Sequence, residues 1–426
     1  MSARDAWTGA SPVHNVSRGR TPGACPRTWS ERTRLLMGRF KDALAAPGLR
    51  AIAEVKRRSP SAGDLRPDAD PGALAKSFAD NGAAAVSILV DERFGGCYQD
   101  IAAARAATTV PLLAKGFFDD QGDLLQARIA GADAALLLLR DLSDDQARLM
   151  LAGGRELGLD LLVEAHDPEE LGRAVALDAD IIGINARDLG TFAIDRRAQL
   201  ALVGNAPRDR VIVAESAIAN RAQGAEAELA GADAILVGST LMRADDPGAK
   251  LAELLARPLV KVCGLTRQED VAVAAEAGAD LAGFVLAESP RRAEAPLPVA
   301  ETMLSVAVFV GEPVDVGTDL VQLYPEEDGH RARNGVLLRA GAPVATVRDL
   351  PWLGEDERHW DEAAAIAGRV LLAGGLGPEN VGAAIAAVRP WCVDASRSLE
   401  LEPGVKDHAR VREFVEAVRS LEGVRS

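Results

Sequence analysis

The chain has 426 residues, more than one hydrophobic core usually supports, so two domains are expected. A formal net charge of -15 argues against a nucleic-acid partner, which needs a basic face, and 48% hydrophobic with 4% aromatic residues calls for cores of Ala, Val, Leu and Ile. The longest apolar runs, such as AALLLLR at 134–140, fall far short of the about 20 residues that cross a bilayer, so no membrane partner is expected.

Residues 1–30 scatter Arg, Gly and Pro around no apolar segment of signal-peptide length and read as a mobile extension. Cys25, Cys97, Cys263 and Cys392 lie far apart without CxxC spacing, which fits neither a disulfide framework nor a zinc site and suggests a reducing cytoplasm. No metal site is expected.

From residue 51, short β-type runs alternate with Ala-rich segments of helical period. The strands are AIAEVKR (51–57), AVSILV (85–90), PLLAKGF (111–117), AALLLLR (134–140), LDLLVEAH (159–166), IIGINA (181–186), RVIVAES (210–216) and AILVGS (234–239). Gly in NGA, AGADA and AGADAI stands after a helix and before a strand, where a C-terminal cap takes positive φ. Eight units over about 210 residues is the size of a (β/α)₈ barrel. A doubly wound sheet is the alternative, but no GxGxxG turn is present and no nucleotide cofactor is expected.

After Arg257-Pro258 the theme restarts with LVKVCGL, LAGFVLA, SVAVFVG, VQLY, VLLRAG, PVATVRDL, RVLLAGGL and WCVDASR. The expected fold class is therefore α/β, two tandem (β/α)₈ TIM barrels over 31–257 and 258–426. The second is compressed, because 324–350 is too short for two full helices.

Active sites of such barrels gather at the carboxyl ends of the strands. A lone charged residue there is usually a solvated loop residue. Here the pattern repeats: Glu54, Lys56 and Ser59 follow strand one, Lys115 ends strand three, Glu164 strand five, Asn185 and Arg187 strand six, Glu215 and Ser216 strand seven, Gly238 and Ser239 strand eight. Alternation puts Glu54 and Lys56 on one side of their strand, and opposed charges in one cavity can divide into acid and base roles.

IAEVKRRSPSAG, LLAKGFF, LLVEAH, IGINARDLGTF, VAESAI and ILVGSTLMR, in this order over about 35–255, resemble indole-3-glycerol-phosphate synthase. The resemblance implies ring closure of a carboxyphenylamino deoxyribulose phosphate with loss of CO₂ and water. It makes Lys115 the general acid for closure and Glu164 an acid-base group in the dehydration. Lys56 and Arg187 would hold the anthranilate carboxylate, while Glu54 and Asn185 steer the sugar hydroxyls. Glu215 and Ser216 would complete the wall, and Ser59, Gly238 and Ser239 would hold the phosphate. Gly116, Ala186 and Ala217 depart from the family text, which has Asp, Asn and Gly there.

KVCGLTR (261–267), GFVLAESPRR (283–292) and LLAGGLGPENV (371–381) resemble phosphoribosylanthranilate isomerase, whose Amadori rearrangement makes the synthase's substrate. A buried Cys alone is ordinary core filler. The resemblance makes Cys263 the base and Asp349, ten residues before His359-Trp360-Asp361, the candidate acid, with Asp356 and Asp361 as the alternatives. It gives Arg291 the anthranilate carboxylate, and Gly374, Gly375, Ser396 and Ser398 the phosphate. Tyr324 replaces a usual His, and Leu353-Gly354-Glu355-Asp356 a usual Gly-rich loop. The implied substrates are small phosphorylated sugar-anthranilates, with no cofactor, handled by a monomer.

Overall fold

The computed structural model describes residues 38–59, 63–187, 193–327, 330–350 and 358–421. The expected extension at 1–30, Cys25 and the altered loop at 353–356 lie outside these residues.

The first eight expected strands form one closed, wholly parallel barrel: β1 (Arg50–Val55), β2 (Ala85–Leu89), β3 (Leu112–Lys115), β4 (Ala134–Leu138), β5 (Asp160–Ala165), β6 (Ile181–Asn185), β7 (Val211–Glu215) and β8 (Ala234–Val237), with β8 closing on β1. After α1 (Arg39–Leu44), which precedes β1, the helices are α2 (Pro71–Asp80), α3 (Tyr98–Ala107), α4 (Gln121–Ala130), α5 (Asp144–Leu157), α6 (Pro168–Ala176), α7 (Arg196–Asn205), α8 (Arg221–Ala230), α9 (Ser239–Arg243) and α10 (Pro247–Leu255).

Local chemistry fixes the helix ends. Asp70, Asp120, Ser143, Asp167, Asp195, Asn220 and Asp246 each accept a backbone N–H from the first turn of the helix that follows, satisfying groups the helix leaves unpaired. The expected glycine C-terminal signals hold at Gly82, Gly131 and Gly231, with φ of 91°, 109° and 117°.

The second barrel also closes with eight strands: β9 (Leu259–Cys263), β10 (Leu281–Val285), β11 (Leu304–Val310), β12 (Leu320–Tyr324), β13 (Asn334–Arg339), β14 (Ala342–Arg348), β15 (Val370–Leu372) and β16 (Cys392–Ala395). It is mixed and not strictly (β/α)₈: β13 runs antiparallel to both β12 and β14. The physical reason is the short 324–350 segment. Two residues, Ala340 and Gly341, join β13 to β14 as a hairpin, which needs far less chain than a parallel crossover. Among the described residues, four helices flank this barrel: α11 (Gln268–Ala277), α12 (His359–Ala364), α13 (Val381–Val388) and α14 (His408–Arg419). Among the described residues, the β10–β11 and β11–β12 connections contain no helix.

The first barrel covers the amino end of the second. Ala222, Ala225 and Leu229 on α8 share one buried cluster with Leu259, Leu281, Leu304, Leu320, Leu371, Trp391 and Cys392, which lie at or near the starts of their strands. Glu228 on the same helix is 4% exposed and receives Arg257 at 2.9 Å, Arg369 at 2.8 Å and the Trp391 indole N–H at 3.1 Å. Arg221 pairs with Asp280 at 3.0 Å. The second site therefore opens at the carboxyl end of its barrel, away from α8. No helix among the described residues is long and apolar enough to cross a membrane.

Candidate active sites

At the carboxyl ends of the first barrel's strands lies a cavity of about 480 Å³, lined among others by Glu54, Lys56, Ser59, Lys115, Glu164, Asn185, Arg187, Ser216, Gly238 and Ser239. Of the residues expected in this site, only Glu215 is absent from the lining. It is 1% exposed and lies beneath Lys115, whose Nζ stands 2.5 Å from Glu215 Oε2, 3.6 Å from Glu164 Oε2 and 3.9 Å from Glu54 Oε2. A buried ammonium faces three carboxylates. Burial alone would lower the Lys115 pKa, but Glu215, Glu164 and Glu54 outweigh it and raise it.

The three carboxylates differ because their neighbours differ. Burial would raise Glu54, but Lys56 at 2.7 Å and Lys115 hold it below the usual range. Burial is likewise overcome at Glu164 by Lys115, His166 and an amide N–H donated from Asn185 at 3.0 Å. At Glu215 burial wins, reinforced by Glu164, and the carboxyl is pushed up. A buried ammonium and three carboxyl groups of unequal proton affinity thus share the floor of one cavity, the separation that acid-base chemistry requires.

Two glycines make this packing possible. A Cβ on Gly183 would meet Glu215 Oε1 at 2.2 Å, and one on Gly238 would meet Glu54 Oε1 at 2.3 Å. A Cβ on Gly116 would meet Val90 Cγ2 at 2.9 Å, so the family's Asp after Lys115 has no room here without a shift of Val90. Phe94 and Phe117, stacked with ring centroids 6.4 Å apart, join Leu89 and Ile194 in an apolar wall that the charge pattern did not reveal.

Ser216 and Ala217 turn the chain out of β7 with φ of 70° and 55°, in the left-handed region. The family's glycine adopts that region freely, whereas an L side chain there costs roughly 1–2 kcal/mol. Ala217→Gly is expected to raise Tm by about 2–4 °C. Thermal denaturation checks this; an unchanged or lower Tm would mean the turn stores no strain.

In the second barrel Cys263 is 7% exposed at the end of β9, next to the fully buried Lys261, whose Nζ lies 2.7 Å from Asp394 Oδ2. Burial pushes the Cys263 thiol up, and Lys261 opposes that shift. A Cβ on Gly283 would meet Cys263 Sγ at 2.7 Å and Lys261 Cε at 2.9 Å, so this glycine makes room for both. Asp349 Oδ2 accepts from the Tyr324 hydroxyl at 3.0 Å, and that hydroxyl accepts from Gln322 Nε2 at 2.6 Å.

Arg291 stands at this end but is bound by an internal carboxylate: its Nε and Nη2 reach Glu400 at 2.9 and 2.8 Å, and Lys406 shares Glu400 at 2.9 Å. Gly374 and Gly375, with φ of 92° and 68°, precede α13. Ser398 Oγ donates to Leu376 O, and Ser396 Oγ is buried with no hydrogen-bond partner.

Sequence reading missed His166, Gly183, Lys261, Asp394 and Glu400. Alternation carried a signal for two of them, since His166 lies two residues beyond Glu164 and Lys261 two before Cys263, each pair on one side of its strand. Gly within the strand text IIGIN and LAGFV marks close approach of another group. Glu400 follows the last strand in a short β ribbon and had no sequence signal.

A family model of indole-3-glycerol phosphate synthase matches residues 29–254, and one of N-(5'phosphoribosyl)anthranilate (PRA) isomerase matches residues 358–417. Indole-3-glycerol phosphate synthase 2 of Streptomyces coelicolor is 44% identical over 217 residues, 51% of this chain and 84% of that protein. The indole-3-glycerol phosphate synthase of a Nocardioides species is 48% identical over 203 residues, 47% of this chain and 78% of that protein. The multifunctional tryptophan biosynthesis protein of Schizosaccharomyces pombe is 30% identical over 452 residues, 87% of this chain and 59% of that protein. The chain belongs to the indole-3-glycerol phosphate synthase family and carries behind that barrel a fused phosphoribosylanthranilate isomerase domain, two enzyme activities of tryptophan biosynthesis.

Proposed function

We propose that the two barrels work in sequence through the following residues. In the second, Cys263 removes the C2 proton of phosphoribosylanthranilate and Asp349 protonates the ribose ring oxygen as it opens. Lys261 supplies the positive charge that favours the Cys263 thiolate, and Tyr324 orients Asp349. Gly374, Gly375, Ser396 and Ser398 hold the phosphate; the orphaned Ser396 Oγ supports this. Arg291 receives the anthranilate carboxylate once Glu400 releases part of its fork.

In the first barrel Lys115 protonates the carbonyl oxygen for ring closure. Glu164 acts in the dehydration, with Glu54 and Asn185 on the sugar hydroxyls and Lys56 and Arg187 on the anthranilate carboxylate. Ser59, Ser216, Gly238 and Ser239 hold the phosphate, where glycine lets backbone N–H groups approach closely. Glu215 keeps Lys115 charged and in place. The observation that carries this reading is Lys115 among three buried carboxylates under the cavity.

The substrates are small phosphorylated sugar-anthranilates. We place the working form as a cytoplasmic monomer, supported by the free thiols of Cys97, Cys263 and Cys392 and by the covering of the second barrel's apolar end by α8 of the same chain. The test pairs Cys263→Ala with separate assays and with rescue of two bacterial auxotrophs, one lacking each activity. Isomerase turnover is expected to fall by about 10³-fold while synthase turnover is unchanged. Isomerase turnover within tenfold of the parent would remove Cys263 as the base.

A further inference from the structure

β7 passes the chain to the cavity wall through Ser216 and Ala217, two residues with side chains in a left-handed backbone, with φ of 70° and 55°. Such a conformation persists only where the surroundings hold it. Both residues line the cavity, on the side assigned above to the substrate phosphate. A turn that relaxed would carry the Ser216 hydroxyl away from that place.

The hold comes from α7. Arg196 and Gln199, three residues apart in its first turns, lie on one face of the helix. Gln199 is buried, and its Nε2 donates to Glu215 O at 2.6 Å and to Ile184 O at 2.7 Å. Arg196 Nη1 donates to Ala217 O at 2.8 Å, while Nη2 donates to Gln223 O at 3.2 Å and to Glu226 Oε2 at 2.7 Å. The two side chains thus grip the carbonyls on either side of Ser216. Arg196 also lines the cavity, yet its side chain is 18% exposed and both terminal nitrogens are engaged by the protein. Glu226, on α8, fixes the guanidinium through a charge-assisted bond.

We infer that Arg196 is a positioning residue of the synthase site: its guanidinium, anchored on Glu226, pins the left-handed Ala217 and keeps Ser216 where it receives the phosphate. This rests on the phosphate role proposed above for Ser216. It also accounts for alanine where the family has glycine, because the bond to Ala217 O holds a conformation that glycine adopts freely. Where only a fraction of molecules holds the turn, apparent affinity falls by that fraction. The chemistry at Lys115, on another strand, is untouched.

The test measures synthase kcat, KM and the inhibition constant of inorganic phosphate in the full chain. Arg196→Leu is expected to raise KM and the phosphate inhibition constant together by about tenfold, with kcat within about twofold. Adding Ala217→Gly should bring both constants back to within about threefold of the parent, because glycine takes positive φ without strain. Isomerase turnover of the same preparations reports folding. An unchanged KM in Arg196→Leu, or a fall in kcat as large as the rise in KM, overturns the inference. So does a defect that Ala217→Gly leaves in place, since glycine restores neither a guanidinium that touches phosphate itself nor a general loss of packing. Phosphate that fails to compete with substrate in the parent removes the phosphate reading of this wall and the inference with it. Competition in the parent that Arg196→Leu leaves unshifted removes only the role of Arg196.

Discussion

Lys115→Ala is expected to lower synthase kcat by about 10³- to 10⁴-fold while isomerase turnover in the same chain is unchanged. The size follows from the geometry. Lys115 is the only cation within 4.0 Å of Glu215 among the described residues, and its ammonium also faces Glu164 and Glu54. Glu54 keeps Lys56 and Glu164 keeps His166, so those carboxylates stay ionised without it. Glu215, already pushed up by burial and by Glu164, would carry its proton to higher pH in the variant. Lys115→Met, similar in length but uncharged, should be equally inactive and better folded. Steady-state rates of both half-reactions decide the matter: synthase turnover within tenfold of the parent means the acid for ring closure lies elsewhere.

Glu228→Gln is expected to destabilise the joint between the barrels by about 1–3 kcal/mol, because the partly exposed Arg257 and Arg369 lose the buried carboxylate that they share. The loss should appear as a lower Tm and as weaker isomerase activity, since α8 closes the amino end of that barrel. Synthase activity should survive longer on heating, its own core being separate from that cluster. The pH dependence has a definite sign. Burial would raise Glu228, but Arg257 and Arg369 outweigh it and lower its folded-state pKa. Its contribution is therefore present above the ordinary carboxylate pKa and is lost as pH falls through the lowered value. Parent and variant melts should converge in acid; melts that already coincide at neutral pH would show that the ion cluster contributes nothing to the joint.

How much was legible depends on the range of the signal. The sixteen strands that close the two barrels were readable as apolar runs, and the helix ends as Asp, Ser or Asn before and Gly after, because these are interactions over a few residues. The hairpin at β13–β14 was half readable: the segment was visibly too short for two helices, but nothing local dictates that β13 reverse direction. That is decided by the need to close an eight-strand ring with the chain available.

For the sites, the sequence by itself determined which reactive side chains stand at strand ends, since period-two alternation and the family motifs fix both identity and side. It could not determine which of those side chains neutralise one another. That Glu215 sits under Lys115 and not on the cavity wall, that His166 backs Glu164, and that Glu400 already occupies Arg291 follow only from the tertiary structure. The physical reason is that a buried charge is governed by neighbours within about 4 Å, and the barrel brings those neighbours from far along the chain, 133 residues apart for Lys261 and Asp394.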